Sequence, residues 1–179
     1  MFDTDQFIAD CKLANAGPHP TRNVKEVVAR AMSDTASVLQ ALGEPAQGGV
    51  VPIYRSPQLT IINVVWAPKF VIMPHNHELW AVIGVYGGAE DNIMWRRLPE
   101  EAGGRVEAAG AKSLRTGDTL GMGADIIHSV VNPLSRLTGA IHVYGGDFFA
   151  TPRSEWDPDS LEEKPYDMEK VLRMFEGRA

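Results

Sequence analysis

Between about Val50 and Phe149 the chain divides into short β-rich runs set apart by Gly, Pro, Asn and Asp. The runs are Leu59–Trp66, Phe70–Met73, Trp80–Tyr86, Asn92–Arg97, Arg105–Ala108, Thr119–Gly121, Ile126–Val131 and Gly139–Tyr144. They predict an all-β core, and about eight such strands allow a closed sandwich. Helical periodicity is confined to the two ends. A short helix is expected over Asp5 to Leu13. From Thr21 to Leu42, Val24, Val27, Val28, Ala31, Met32, Val38, Leu39 and Leu42 mark one buried helix face, stopped by Gly43 and Pro45. A last helix is expected after the cap Asp167, with Val171, Leu172 and Phe175 as its stripe and Gly177 as its stop. The 179 residues, 44% hydrophobic, suit a single domain. Its helical part would be 1–45, its barrel about 50–149 and its tail and helix 150–179. The loop Leu98-Pro99-Glu100-Glu101-Ala102-Gly103-Gly104 reads as an exposed hairpin connection, and the Pro- and acid-rich tail Thr151–Pro165 as a solvated connector.

Charge and cysteine usage narrow the function. With a net charge of −6 there is no basic stripe to displace counterions from a phosphate backbone, which argues against nucleic acid as a partner. Cys11 stands alone, so neither an internal disulfide nor a two-thiolate metal site is available. Neither a leader-like start nor a membrane-length apolar stretch is evident, and a cytoplasmic location without membrane association is expected. A small-molecule partner fits best, and exposed sheet edges make a homodimer the expected assembly.

Within the β-region, His75-Asn76-His77 is followed about fifty residues later by His128. Alternate residues of an extended strand share a face, so His75 and His77 can aim two imidazoles at one point while Asn76 turns away. A third imidazole from a neighbouring strand completes a facial set that leaves coordination positions open, as a catalytic metal requires. By itself a histidine on an apolar strand is more often a core residue; the spacing is what gives these three weight. Three imidazoles suit Zn(II), Fe(II), Ni(II) or Cu(II) alike.

The residues around these histidines resemble the cupins. The second cupin motif runs Gly, five residues, Pro, one residue, Gly, two residues, His, three residues, Asn; Gly117, His128 and Asn132 hold those places, with Gly123 at the proline and Asp125 at the second glycine. In the first motif His75, His77 and the later Gly88 match, but Ala81 and Val82 stand where the glutamate ligand falls. A set of three histidines without that carboxylate is similar to the cysteine dioxygenase group of thiol dioxygenases. That group carries Ser-x-His-x-Tyr beside its iron, and this chain has Ala140-Ile141-His142-Val143-Tyr144.

The resemblance implies a mainly β fold, the cupin double-stranded β-helix or jelly-roll barrel. It also implies an Fe(II) enzyme, with Zn or Ni possible as purified, that adds both atoms of dioxygen to the sulfur of a small thiol carboxylate, giving a sulfinate. The metal ligands would be His75, His77 and His128. Tyr144, held by His142, would be the catalytic hydroxyl, and Arg55 would pair with the substrate carboxylate. Read without the resemblance, His142 and Tyr144 are equally a hydrogen-bonded core pair, and Arg55 a surface residue. Arg96 and Arg97 read as solvated or structural, and Trp66, Trp80, Met73 and Met94 as core. Two other classes stay open: a three-histidine metalloenzyme for a non-thiol substrate, and a non-catalytic cupin that binds a metal or small ligand.

Overall fold

The computed structural model describes residues 1–99, 103–175 and 177. Three helices come first, α1 (Thr4–Asn15), α2 (Pro20–Met32) and α3 (Thr35–Leu42). Eleven strands follow: β1 (Gly49–Arg55), β2 (Thr60–Trp66), β3 (Val71–His75), β4 (Ala81–Gly87), β5 (Ala89–Arg97), β6 (Val106–Arg115), β7 (Thr119–Met122), β8 (Ile127–Val131), β9 (Thr138–Tyr144), β10 (Ser154–Trp156) and β11 (Glu163–Pro165). Helix α4 (Met168–Phe175) closes the order. None of the described helices is long and apolar enough to cross a membrane.

Two sheets with antiparallel pairings throughout, ordered β1-β2-β9-β4-β7 and β11-β10-β3-β8-β5-β6, form the expected double-stranded β-helix. Period-two alternation divides its buried residues between two cores. Ile62, Val64, Ile83, Ala140 and Tyr144 face the space between the sheets. Ile61, Val82, Ile141 and Val143 face outward and are covered by Val24, Val28 and Met32 of α2 together with Phe7 and Cys11 of α1. Close approach explains Gly84: a Cβ there would lie 2.5 Å from Val28 Cγ1.

The single helix read from Thr21 to Leu42 is two helices. Asp34 breaks it by becoming the N-cap of α3, its carboxylate accepting from the Ser37 amide at 3.2 Å. The apolar pattern survives because both pieces lie on the same core.

The tail requires a larger correction. Rather than a solvated connector, residues 151–165 contain β10 and β11, and Arg153, Glu155 and Trp156 are buried. Trp156 anchors the segment, its indole donating to the Gly104 carbonyl at 3.1 Å. Glu155 pairs with His75 across the β10–β3 ladder, and its carboxylate accepts from Lys170 Nζ at 2.7 Å, fixing the start of α4. Asp167 caps that helix as expected, accepting from the Lys170 amide at 2.8 Å. β5 and β6 form a hairpin paired as far as Arg97 and Val106, but 100–102 of its connecting loop lie outside the described residues.

Candidate metal centre

His75 and His128 are direct partners on adjacent strands, β3 and β8, after a register irregularity between Ile72 and His75. β3 ends at His75, yet the extended alternation continues for two more residues because Asn76 is clasped to the tail. The Asn76 amide donates to the Ser154 carbonyl at 3.1 Å, and the Ser154 amide donates back to Asn76 Oδ1 at 2.8 Å. With Asn76 held outward, His77 turns inward beside His75.

All three histidines are buried, and their Nε2 atoms converge: His75 and His77 are 3.3 Å apart, His77 and His128 3.2 Å. Three donors at about 2.1 Å from one ion would be about 3.0 Å apart at right angles and about 3.4 Å apart at tetrahedral angles. The observed separations lie between, so the nitrogens fit one face of a metal's coordination sphere. No carboxylate joins this cluster among the described residues.

The opposite ring nitrogens explain why Nε2 faces the centre. His75 Nδ1 donates to the Met73 carbonyl at 3.0 Å, and His128 Nδ1 donates to Asn92 Oδ1 at 2.7 Å. Each bond places the proton on Nδ1 and leaves the Nε2 lone pair free. Burial lowers the His75 pKa to about 4 and those of His77 and His128 well below the ordinary value, with the mutual repulsion of the histidines adding to it. All three are neutral at pH 7, the form that binds a metal.

Beside them on β9, His142 Nδ1 lies 3.0 Å from the Tyr144 hydroxyl. The Tyr144 ring is 5.0 Å from His77 and stacks on Phe148 at 4.3 Å. Burial drives the Tyr144 pKa far up, so this phenol keeps its proton. Ala140 shares the inward face but has no polar atom to offer His142. What meets His142 instead is Glu90, whose Oε2 lies 3.3 Å from His142 Nε2. Trp66 Nε1 donates to the same oxygen at 2.8 Å and Asn92 Nδ2 to Oε1 at 3.0 Å. Burial acts to raise the Glu90 pKa, but His142 and these hydrogen bonds outweigh it and hold the carboxyl below its ordinary value.

Sequence reading missed Glu90 and Asn92 for a physical reason. Polar residues alternating along a strand ordinarily face water, whereas here they point into the barrel and satisfy one another. Asn132, the last residue of the motif that suggested His128, has a structural task. Its amide donates to the carbonyls of Trp66, Ala67 and Arg136, and its oxygen accepts from Leu134 and Thr138, so it staples the β8–β9 connection.

Arg55 is not brought to the histidines. Its side chain is 49% exposed and forks onto Asp147, with Nε 2.8 Å from Oδ1 and Nη2 3.0 Å from Oδ2. A buried cation close enough to act on His75 and His77 is Arg153, which comes from the tail and packs behind the cavity wall. Its guanidinium lies 4.2 Å from the ring centres of both Phe148 and Tyr166, two residues of the cavity wall. Its Nη1 donates to the Phe148 carbonyl, while Nε and Nη2 are buried without a hydrogen-bond partner. Nothing in Pro152-Arg153-Ser154 marks this arginine in the sequence; the one signal was the lone Trp156 in a polar stretch.

The cavity is lined by the three histidines, His142, Tyr144, Phe148 and Tyr166 on one side. Val50, Ile62, Val64, Trp66, Ile72, Val130 and, from α4, Met168, Val171, Leu172 and Phe175 complete the wall. The space left at its centre is small, with room for about two waters.

No protein-family model matches the chain. Among solved structures, an RmlC-like cupin family protein with a double-stranded β-helix fold from Methanocaldococcus jannaschii aligns at 9% identity and TM-score 0.48, over 59% of this chain and 86% of that one. An uncharacterized double-stranded β-helix protein from Klebsiella pneumoniae aligns at 12% identity and TM-score 0.47, over 61% of this chain and 82% of that one. A recombinant oxalate oxidase in complex with glycolate aligns at 16% identity and TM-score 0.40, and the matched region spans only 42% of that chain. Likenesses this distant carry no function across.

Proposed function

We propose that His75, His77 and His128 hold Fe(II) and that the protein is a thiol dioxygenase-like enzyme acting on a small thiol carboxylate. The balanced reaction is RSH + O2 → RSO2H: sulfur is oxidised, dioxygen is reduced, and both oxygen atoms end on sulfur. The observation that carries this reading is a ligand set of three neutral imidazoles without a carboxylate. Such a set leaves the ion's full positive charge to stabilise an anionic substrate. When bound, the iron supplies thiol acidification and open positions for substrate and dioxygen; Zn or Ni could occupy the same donors on purification.

The chain's own residues have separate tasks. Arg153 takes the anchoring role expected of Arg55: a carboxylate offers acceptors for its unpaired Nε and Nη2 and for its charge. Tyr144 keeps its proton, donates it to His142, and presents its hydroxyl oxygen to the substrate as an acceptor. Met168, Val171 and Phe175 of α4 keep bulk water from the centre.

A second reading, the same metal centre acting on a non-thiol acid, is favoured by the mainly apolar remainder of the cavity wall and by Ala140 in place of serine. Anaerobic loading with Fe(II), followed by air and a panel of small thiols, separates the two. Oxygen uptake matched by sulfinate supports the first reading, whereas bound iron with no uptake for any thiol sinks it. Arg153→Met should then raise KM for thiol carboxylates at least about a hundredfold while iron content stays unchanged, the loss of a paired buried charge being worth several kcal/mol.

A further inference from the structure

Glu90 is fully buried, touches none of the three histidines, and receives hydrogens from three different side chains. An ionised carboxylate has only acceptors, so each group around it must turn a donor inward. We propose that Glu90, acting through Asn92, sets the tautomer of His128 that leaves its Nε2 free for a metal, and at the same time sets the tautomer of His142. Glu90 is therefore a positioning residue for two imidazoles on different sheets. The metal half of this inference rests on the reading of the three histidines as a metal centre.

The chain of constraints runs in one direction. Oε1 of Glu90 accepts from Asn92 Nδ2 at 3.0 Å, which forbids the flipped amide and aims Asn92 Oδ1 at His128. Oδ1 can only accept, so the proton of His128 sits on Nδ1 and its Nε2 is bare. On the other side, Oε2 already accepts from Trp66 Nε1, a group that can only donate. His142 shares that oxygen through Nε2–H, and its Nδ1 is left to accept from the Tyr144 hydroxyl. Reverse the carboxylate's acceptor pattern at Oε1, and the metal-facing nitrogen of His128 is the atom that changes.

Glu90→Gln performs that reversal with almost no change in shape. The introduced amide must keep its carbonyl on the side facing Trp66 and His142, because the indole N–H has no alternative. Its NH2 then meets Asn92 Nδ2, donor against donor, and relief comes by flipping Asn92. The flipped amide turns Nδ2 toward His128 Nδ1, which must become an acceptor, and the His128 proton moves to Nε2, where a metal would bind. Adding Asn92→Asp removes the conflict, since a carboxylate in that place accepts both from the introduced NH2 and from His128. A residue that only filled space would respond to neither swap in this pattern.

The test is nitrogen–proton correlation spectroscopy of the imidazoles in metal-free protein, paired with Co(II) titration followed by absorption. Wild type should show His128 protonated on Nδ1. Glu90→Gln should show it on Nε2 and weaken Co(II) binding about 10- to 100-fold, and the double variant should restore both to near wild type. His128 protonated on Nε2 in the wild type overturns the inference without any variant, even if Glu90→Gln does not fold. So does Glu90→Gln with unchanged tautomer and affinity, or a double variant that fails to recover. Wild-type protein that binds no Co(II) strikes the metal-centre reading instead, while the wild-type tautomer decides the role of Glu90 separately.

Discussion

The two faces of β9 do opposite kinds of work within seven residues. Ile141 and Val143 point outward into a mainly apolar core beneath α1 and α2, which also holds the thiol of Cys11 and the ring of Tyr86. Burial pushes that thiol up to about 12 and leaves it inert. Ala140, His142 and Tyr144 point inward, where Glu90 and the histidine cluster lie within the same barrel. Side chains on the outer face are interchangeable with others of like volume. Those on the inner face are fixed by donor and acceptor count, so shape alone does not preserve them.

Substitutions that strike one face at a time would break this contrast if it is wrong. The largest effect is expected from His128→Ala, which removes one of three ligands and should reduce iron retention to background by elemental analysis while the fold persists. Unchanged iron content would end the metal-centre reading. Ile141→Ala should do the reverse, lowering stability by about 2–5 kcal/mol in denaturant titration and leaving iron content intact. Loss of iron in that variant would mean that the outer core and the site are not separable.

Acid sharpens the contrast further. In the unfolded chain the histidines titrate at about 6.5, whereas burial holds folded His75 at about 4 and the other two well below their ordinary value. The unfolded state therefore binds more protons between these values. Stability that is present above pH about 6.5 should be lost progressively as pH falls toward 4, seen as a declining Tm of the metal-free protein. The smallest effect is expected of Arg55→Ala. Its half-exposed pair with Asp147 is worth about 0–1 kcal/mol, and KM for any accepted substrate should not move. A rise in KM would return the anchoring role to Arg55.

How legible each part was follows from which physical signal it carried. The barrel strands stood out because alternating apolar runs between turn residues have few other uses, and the histidine triplet because period-two spacing and a motif placed it. β1 escaped notice, its half-buried pattern being too weak to separate from a loop. Glu90 and Asn92 were invisible because alternation assigns polar residues to water, and only the partners facing them reverse that assignment. Arg153 and Glu155 sat in a stretch whose composition reads as solvated. Their burial follows from long-range pairing with β3, which no local pattern encodes.

The order of these residues along the chain has a consequence for assembly. Synthesis runs from the first residue to the last, so His75, His77 and His128 leave the ribosome before Arg153, Tyr166 and the helix that covers them. The inward histidines therefore stand in the barrel strands, and the wall around them is complete only when Tyr166 and α4 have packed in place.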